Sequence, residues 1–396
     1  MSETNTFDSH LSDANKQSPQ KEIQAESVNE FIQKMTGGNR AQIVMEHDKI
    51  RKMERHVLSF TQNTDKNRFL NVLLYSEGSV KLTKPPNSND TEYIHASLVK
   101  SRYGQYILGQ APKSNTLNEW YRMIWQYNVQ VVVCLLPAIN NEECCKYFEQ
   151  KAGRKVNKGR FTLKTFAIRQ ELQCVIYEIR MKNSGAKKGE DKEHIFHIVH
   201  FPKWKIGDKS PQPKTLIQVF RSVWALEKSM RLGREHEGFV LVHGCSGVRR
   251  TGTFVVAAML CRQIKETKLL AVPAIVAKVR RMRYGIMRDI INYELVIETA
   301  LTYGCEQGLI DRKNIMYLQT IDKIRDSLKE KKTKERNRET EAQDNGGDTV
   351  ASTATNVTAA GGEAAGGESQ VGQSAAGQTA TGGQSAAGPS AATAPA

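Results

Sequence analysis

The sequence predicts an α+β (α/β) domain, a highly twisted mixed β-sheet flanked by helices, with disordered N- and C-terminal tails. Three observations lead there. Apolar strand-like runs mix with helical patterns from about residue 27 to about 310, as expected for a sheet with helices on its faces. Hydrophobic residues are only 39% of the 396, too few for the whole chain to be packed. Beyond about residue 342 the composition collapses to Gly, Ala, Ser, Thr and Gln, which bury too little apolar area to offset the entropy of ordering.

In chain order, residues 1–26 are polar and aperiodic and read as a disordered leader. The domain is expected over 27–310. It opens with Val28, Phe31, Ile32 and Met35 at helical spacing, stopped by Gly37-Gly38. Strands are predicted over 129–136, 172–181, 195–201 and 239–244, and helices over 116–127, 215–232, 251–266 and 292–304. The KGED stretch at 188–191 reads as an exposed loop between two strands. Residues 311–341 form a basic helical extension, with eight basic and three acidic residues between 323 and 338. That pattern fits a solvated helix with intrahelical ion pairs, or a contact with an anionic surface through 312–338. Residues 342–396 are a low-complexity tail rather than a solenoid.

The formal net charge of +15 and pI near 9.4 keep anionic partners in play. No apolar run reaches ~18 residues, so no membrane span is expected, and the polar N-terminus lacks a secretory h-region. Seven cysteines without CxxC spacing argue for reduced thiols in a cytoplasmic protein, without a disulfide framework or a metal site. No cofactor motif and no RNA- or DNA-binding motif is visible.

The most informative stretch is Phe239–Phe254, where an apolar strand enters a short glycine-containing loop and then an apolar helix. Such a loop is either a plain packing turn or an anion cradle at the positive end of a helix. Arg250 at the helix entry supplies a guanidinium fork matched to phosphate oxygens.

This stretch resembles the protein tyrosine phosphatase signature V-H-C-S-A-G-x-G-R-[ST]-G-T-F, and the chain is similar to the non-receptor type with a degenerate active site. The resemblance spans roughly 40–310. Lys66-Asn67-Arg68-Phe69 resembles the KNRY phosphotyrosine loop, and Glu92–Ser97 resembles DYINAS. Tyr106–Pro112 with Thr116, Trp120 and Met123-Ile124-Trp125 resembles YIATQGP…T…FWRMIW, and Arg280–Tyr293 the segment with two site glutamines. The phosphate site it implies is Gly244, Cys245, Ser246, Gly247, Val248, Arg249 and Arg250. Phe69, Asn71, Arg288 and Asn292 fall where the family contacts phosphotyrosine and peptide.

The resemblance breaks at the chemistry. Aligned on Val242-His243 and Arg250-Thr251-Gly252, the nucleophile position is Gly244, and Cys245 stands one place late. Cys245 is either a shifted nucleophile or an inert thiol. In the segment 200–208, which resembles the mobile acid loop, the general-acid position is Ile206. Asp208, two places on, is an ordinary loop carboxylate or a displaced acid. Arg288 and Asn292 replace the two glutamines.

The site is thereby up to four charge units more positive than the family pattern, counting the lost thiolate and carboxylate and the gained Arg249 and Arg288. The implied function is a pseudophosphatase that binds tyrosine-phosphorylated or kinase-pathway proteins through Arg250. The alternatives are an active phosphatase using Cys245, with Asp208 as acid, or a scaffold whose pocket is occluded by Arg249.

Overall fold

The computed structural model describes residues 25–326 apart from 38–39, 52–55, 85–87, 187–188, 190, 205–210 and 232–237. The disorder expected of the leader and of the tail, and the basic half of the extension beyond residue 326, lie outside the described residues.

The chain opens with β1 (Glu26–Ser27), whose first residue falls within the expected leader. Helix α1 (Val28–Gly37) follows, begun by a reciprocal cap. Glu30 accepts from the Ser27 amide at 2.8 Å, and Ser27 Oγ accepts from the Glu30 amide at 3.2 Å. Helix α2 (Arg40–Arg51) and a single helical turn (Leu58–Thr61) lead into β2 (Ser79–Lys81), β3 (Tyr93–Ser101) and β4 (Gly104–Gln110). Next come α3 (Leu117–Gln126), β5 (Val129–Cys134), β6 (Lys155–Lys158), β7 (Phe161–Gln170), β8 (Val175–Asn183) and β9 (Glu193–His200). The chain continues through α4 (Pro213–Arg231), β10 (Phe239–Gly244), α5 (Arg249–Thr267), β11 (Leu269–Leu270), α6 (Val272–Met282) and α7 (Ile290–Glu306). A last helix, α8, covers 315–326.

Nine strands form one mixed sheet in the order β2-β3-β4-β10-β5-β9-β8-β7-β6, and β1 pairs separately with β11. The central strands β4, β10, β5 and β9 are parallel, and the flanking pairs are antiparallel. Strands covered on both faces read as continuous apolar runs, which is why VQVVVC and FVLVHG are buried at every position. Alternate residues feed two core layers. Val131, Val133, Val240 and Val242 face the layer that contains Leu216, Phe254 and Leu301. Val132, Cys134 and Leu241 face the layer that contains Trp120, Tyr147 and Phe196.

The strand predicted over 172–181 starts three residues later, at Val175, because Glu171–Cys174 make the β7–β8 turn, closed by Glu171 N–H to Cys174 O at 2.9 Å. Gly189 and Asp191 are exposed between β8 and β9, where the loop was expected. The packed core runs past residue 310. Ile321 and Ile324 of α8 are buried in the same layer as α1 and α7, Lys323 Nζ donates to Thr36 O at 2.7 Å, and Arg325 pairs with Glu298 at 3.0 Å.

The docking of α8 is measurable. Ile324 is 1% exposed, so Ile324→Ala is expected to cost about 3 kcal/mol in urea unfolding. Ile315→Ala, at a position 69% exposed, is expected to cost less than about 0.5 kcal/mol. Equal small losses at both positions would mean that α8 does not belong to the core.

Candidate active site and its phosphate cradle

The loop Cys245–Val248 lies between β10 and α5, at the C-terminal end of the parallel strands. Its carbonyls are drawn to one side. Cys245 O accepts from the Ala111 amide at 3.1 Å, Ser246 O from Arg283 Nη2 at 3.0 Å and Gly247 O from Arg283 Nε at 3.0 Å. In a planar trans peptide the N–H points opposite to the C=O. The amides of Ser246, Gly247 and Val248 therefore face away from those partners, an arrangement able to receive an anion.

Arg283 is fully buried, with Ser97 Oγ and His95 Nδ1 as its other partners at 3.4 and 3.2 Å. Burial pulls its pKa down to about 10, with Tyr93 opposing, so it stays charged at neutral pH. Sequence reasoning had only the surrounding Arg280–Tyr293 segment and missed the role of Arg283. The pattern gives no sign of which arginine of this run turns inward.

The two loop glycines are different in kind. Gly247 has φ +68°, and a Cβ there would lie 2.2 Å from Gly109 O, so only glycine fits. Gly244 has no left-handed φ, and a Cβ there would meet Thr251 Oγ1 at 3.4 Å and Arg250 Nε at 3.7 Å, both ordinary contacts. Its backbone does not require glycine, and there is room for a side chain pointing at Arg250. Thr251 Oγ1 is buried without a hydrogen-bond partner, an orphaned donor facing the place where a residue-244 side chain would lie.

Cys245 is half-buried and packs against the core layer that holds Ile139 and Cys144. Burial pushes its thiol pKa up, Glu143 adds to this, and Arg68 and Arg250 oppose it. A thiol so disposed is mostly protonated at neutral pH and a weak nucleophile.

Arg250 is held in place. Its Nη1 donates to Trp204 O at 2.9 Å, and its Nη2 lies 3.6 Å from the Glu143 carboxylate, with only 11% of the side chain exposed. Arg249 begins α5 in ordinary helical geometry, and its side chain is 70% exposed and paired with Asp289 at 3.2 Å. It is held by Asp289 at the wall of the adjoining cavity, a placement that does not support the alternative of a pocket filled by its side chain. The charge surplus is smaller than the sequence count, because Asp289 compensates Arg249 and Glu143 stands beside Arg250.

Asn71 and Arg288 come together with Ser246, Val248 and Arg249 around a cavity of about 670 Å³ that adjoins the loop. Phe69 is 40% exposed on the neighbouring 66–72 segment. Arg68 ties that segment to the end of β4 through Ala111 O and Pro112 O, and Gln110 Oε1 accepts from the Arg68 amide. Asn292 is buried on α7 and does not line the cavity. In the acid-loop segment, Trp204 is buried and Lys203 Nζ donates to Leu172 O. Lys205, Ile206 and Asp208 lie outside the described residues.

Beneath the loop, His243 is fully buried, with Nε2 2.8 Å from the Tyr147 hydroxyl. Burial, aided by His200, Arg250 and Arg68, lowers its pKa to about 3. His95 is likewise lowered to about 3 by burial and Arg283. Both are neutral supports.

The protein-tyrosine phosphatase family matches residues 63–302, more than half of the chain. The chain is 26% identical over 250 residues to tyrosine-protein phosphatase 69D of Drosophila melanogaster, covering 61% of this chain and 17% of that protein. It is 30% identical over 239 residues to receptor-type tyrosine-protein phosphatase R of Rattus norvegicus, covering 58% and 34%. It is 23% identical over 209 residues to tyrosine phosphatase H3 of Microplitis demolitor bracovirus, covering 52% and 64%. The chain thus spans less than two thirds of the length of each. Among the described residues no helix is long and apolar enough to cross a membrane.

The buried histidines set an acid limit. Each binds a proton in the unfolded chain near pH 6.5 but in the folded chain only near pH 3, so below 6.5 the unfolded state holds more protons. Stability is expected to fall as pH drops from 6.5 toward 3, by up to about 1.4 kcal/mol per pH unit for each histidine. His243→Asn should remove about one proton's worth of that slope in urea titrations between pH 6 and pH 4. An unchanged slope would mean that His243 is not neutral in the fold.

Proposed function

This chain belongs to the protein-tyrosine phosphatase family, and we propose that it is a pseudophosphatase, a member that grips phosphotyrosine without hydrolysing it. The observation that carries this is the pair Gly244 and Thr251. The atom that would attack phosphorus is missing from a position with space for it, and the hydroxyl beside it is left without a partner. Covalent phosphate transfer runs through that atom, and the Cys245 thiol, raised in pKa and packed against the opposite core layer, is no substitute.

The binding groups support the other half of the reading. Arg250 is positioned by Trp204 O, and Arg249 is exposed and paired with Asp289. Asn71 and Arg288 at the rim, and the exposed ring of Phe69, are suited to the peptide and to the phosphotyrosine ring. The partners in this reading are tyrosine-phosphorylated proteins of a kinase pathway, shielded or tethered by the bound domain. A non-receptor protein in the reducing cytoplasm accords with seven cysteines that are all free thiols.

Fluorescence anisotropy with a labelled phosphotyrosine peptide and the full chain tests this. Micromolar affinity is expected, unaffected by Cys245→Ser and weakened at least tenfold by Arg250→Met, since a charge-assisted hydrogen bond contributes about 1.5–3 kcal/mol. Wild type should give no sustained turnover of an aryl phosphate. Gly244→Cys should form a phosphocysteine detectable by intact-protein mass spectrometry, the new thiolate displacing the aryl oxygen from phosphorus. Turnover by wild type that Cys245→Ser abolishes would overturn the proposal, and so would absence of phosphopeptide binding.

A further inference from the structure

The far edge of the sheet carries a second feature that phosphate binding does not use. Residues 151–170, which include β6 and β7, hold seven basic residues and no acidic one. Lys151, Arg154, Lys155 and Lys158 are exposed. Within the ladder Lys155 sits directly opposite Lys164, and Lys164 directly opposite Arg180 of β8. Residues so paired share a face, and like charges there are destabilising. Only Arg180 of the three has an ion pair among the described residues, with Glu178 at 3.3 Å. Lys155 and Lys164, with Arg180 beside them, form a cationic row across three strands that is open to an anion from outside the domain.

Beside this row the sheet edge is open. The pairing of β6 with β7 ends at Lys155–Lys164, and one further exchange joins Gly153 and Arg154 to Thr165. Ala167–Gln170 pair with β8 on one side, Phe166 sits at the irregularity between Thr165 and Ala167, and among the described residues none of the five pairs on the other side. All five are exposed, including Phe166 at 47% and Ile168 at 39%. Arg180 stacks on Phe166, with its guanidinium carbon 3.4 Å from the ring centroid.

We propose that this edge, Phe166–Gln170 with the flanking row Lys155, Lys164 and Arg180, is a docking site for an extended acidic segment of another protein, added as a tenth strand in line with β6. The open edge is about 17 Å long, room for five residues, and its unpaired backbone groups supply the ladder. On the Lys155, Lys164 and Arg180 face, which also carries Phe166, alternate residues of the guest would place carboxylates against the cations, and on the other face they would place apolar side chains against Ile168.

The charge selects the occupant. Two copies of this edge would set the row of Lys155, Lys164 and Arg180 against itself, so edge-to-edge self-pairing is disfavoured. An acidic strand meets attraction along the same line. Nucleic acid finds cations here but no free aromatic platform, since Arg180 covers the face of Phe166. Strand β7 lies four strands from β10, about 19 Å at the usual spacing, so this site and the phosphate cradle can be filled together.

The test uses the full chain and a fluorescein-labelled heptapeptide of alternating Glu and Val. Expected results are a dissociation constant in the micromolar range, weakening as salt rises, and slowed hydrogen exchange at residues 166–170. Binding should weaken at least tenfold in Lys155→Glu/Lys164→Glu, with phosphotyrosine-peptide binding unchanged. A fully N-methylated form of the peptide, tested on the wild-type chain, should also bind at least tenfold more weakly, and this arm does not depend on any variant folding. The proposal is overturned if the Glu-Val peptide does not bind, or if the N-methylated form binds equally well. It is also overturned if a thymidine oligonucleotide or phosphatidylserine vesicles bind more tightly than the peptide and protect the same amides.

Discussion

The geometry of the cradle depends on one buried cation. Arg283 is fully enclosed, and among its hydrogen-bond partners are two consecutive loop carbonyls, Ser246 O and Gly247 O. Left alone, a short loop between a strand and a helix would turn its peptides to suit local packing. With a guanidinium fork beneath them, the carbonyls are fixed downward and the amides upward. The same cation adds to the positive potential of the helix entry. Keeping a charge in such a place is costly unless its donors are satisfied. Here four oxygen and nitrogen acceptors from the 95–97 strand and the loop supply that compensation.

Against this fixed backbone, a substitution in the loop means something only if the position was constrained. At Gly247 the backbone admits glycine alone, so its presence reports the geometry of the turn. At Gly244 the backbone admits any residue, so glycine there reports the absence of a side chain rather than a need of the fold. The orphaned Thr251 hydroxyl makes the same point from the other side. A core that evolved around an apolar neighbour would not be expected to leave a buried donor without a partner.

The sheet was legible in the sequence where burial was two-sided. The runs at 129–136 and 239–244 are continuous because helices cover both faces. The antiparallel β6–β7 hairpin was not legible, because polar residues interrupt its apolar alternation at the exposed edge. The position matching the family's nucleophile, and Arg250, could be read by aligning the loop with the family signature. Where Arg249 points could not, since the direction depends on Asp289, forty residues away in sequence and brought alongside only by the start of α7. Arg283 was hidden for a similar reason: in RRMR, where Arg280 is buried as well, only packing decides which arginine reaches the loop carbonyls. Docking of Ile321 and Ile324 was masked by the basic residues that follow them.

In the proposed reading, glycine at 244 and the retained Arg250 act in the same direction. Two unit charges 4 Å apart at an effective dielectric of 20 interact by about 4 kcal/mol. A thiolate at the base of the cradle would therefore oppose a phosphate dianion by several kcal/mol, and catalysis recovers this only when the sulfur attacks. With glycine at 244 that opposition is absent in the ground state, while the Arg250 fork, the loop amides and the buried charge of Arg283 remain in place. Compensation of Arg249 by Asp289 does not cancel this gain, because that pair sits outside the cradle, where solvent screens it. In the proposed reading, the groups that would serve catalysis by binding phosphate therefore serve a receptor for a phosphate dianion better without the nucleophile.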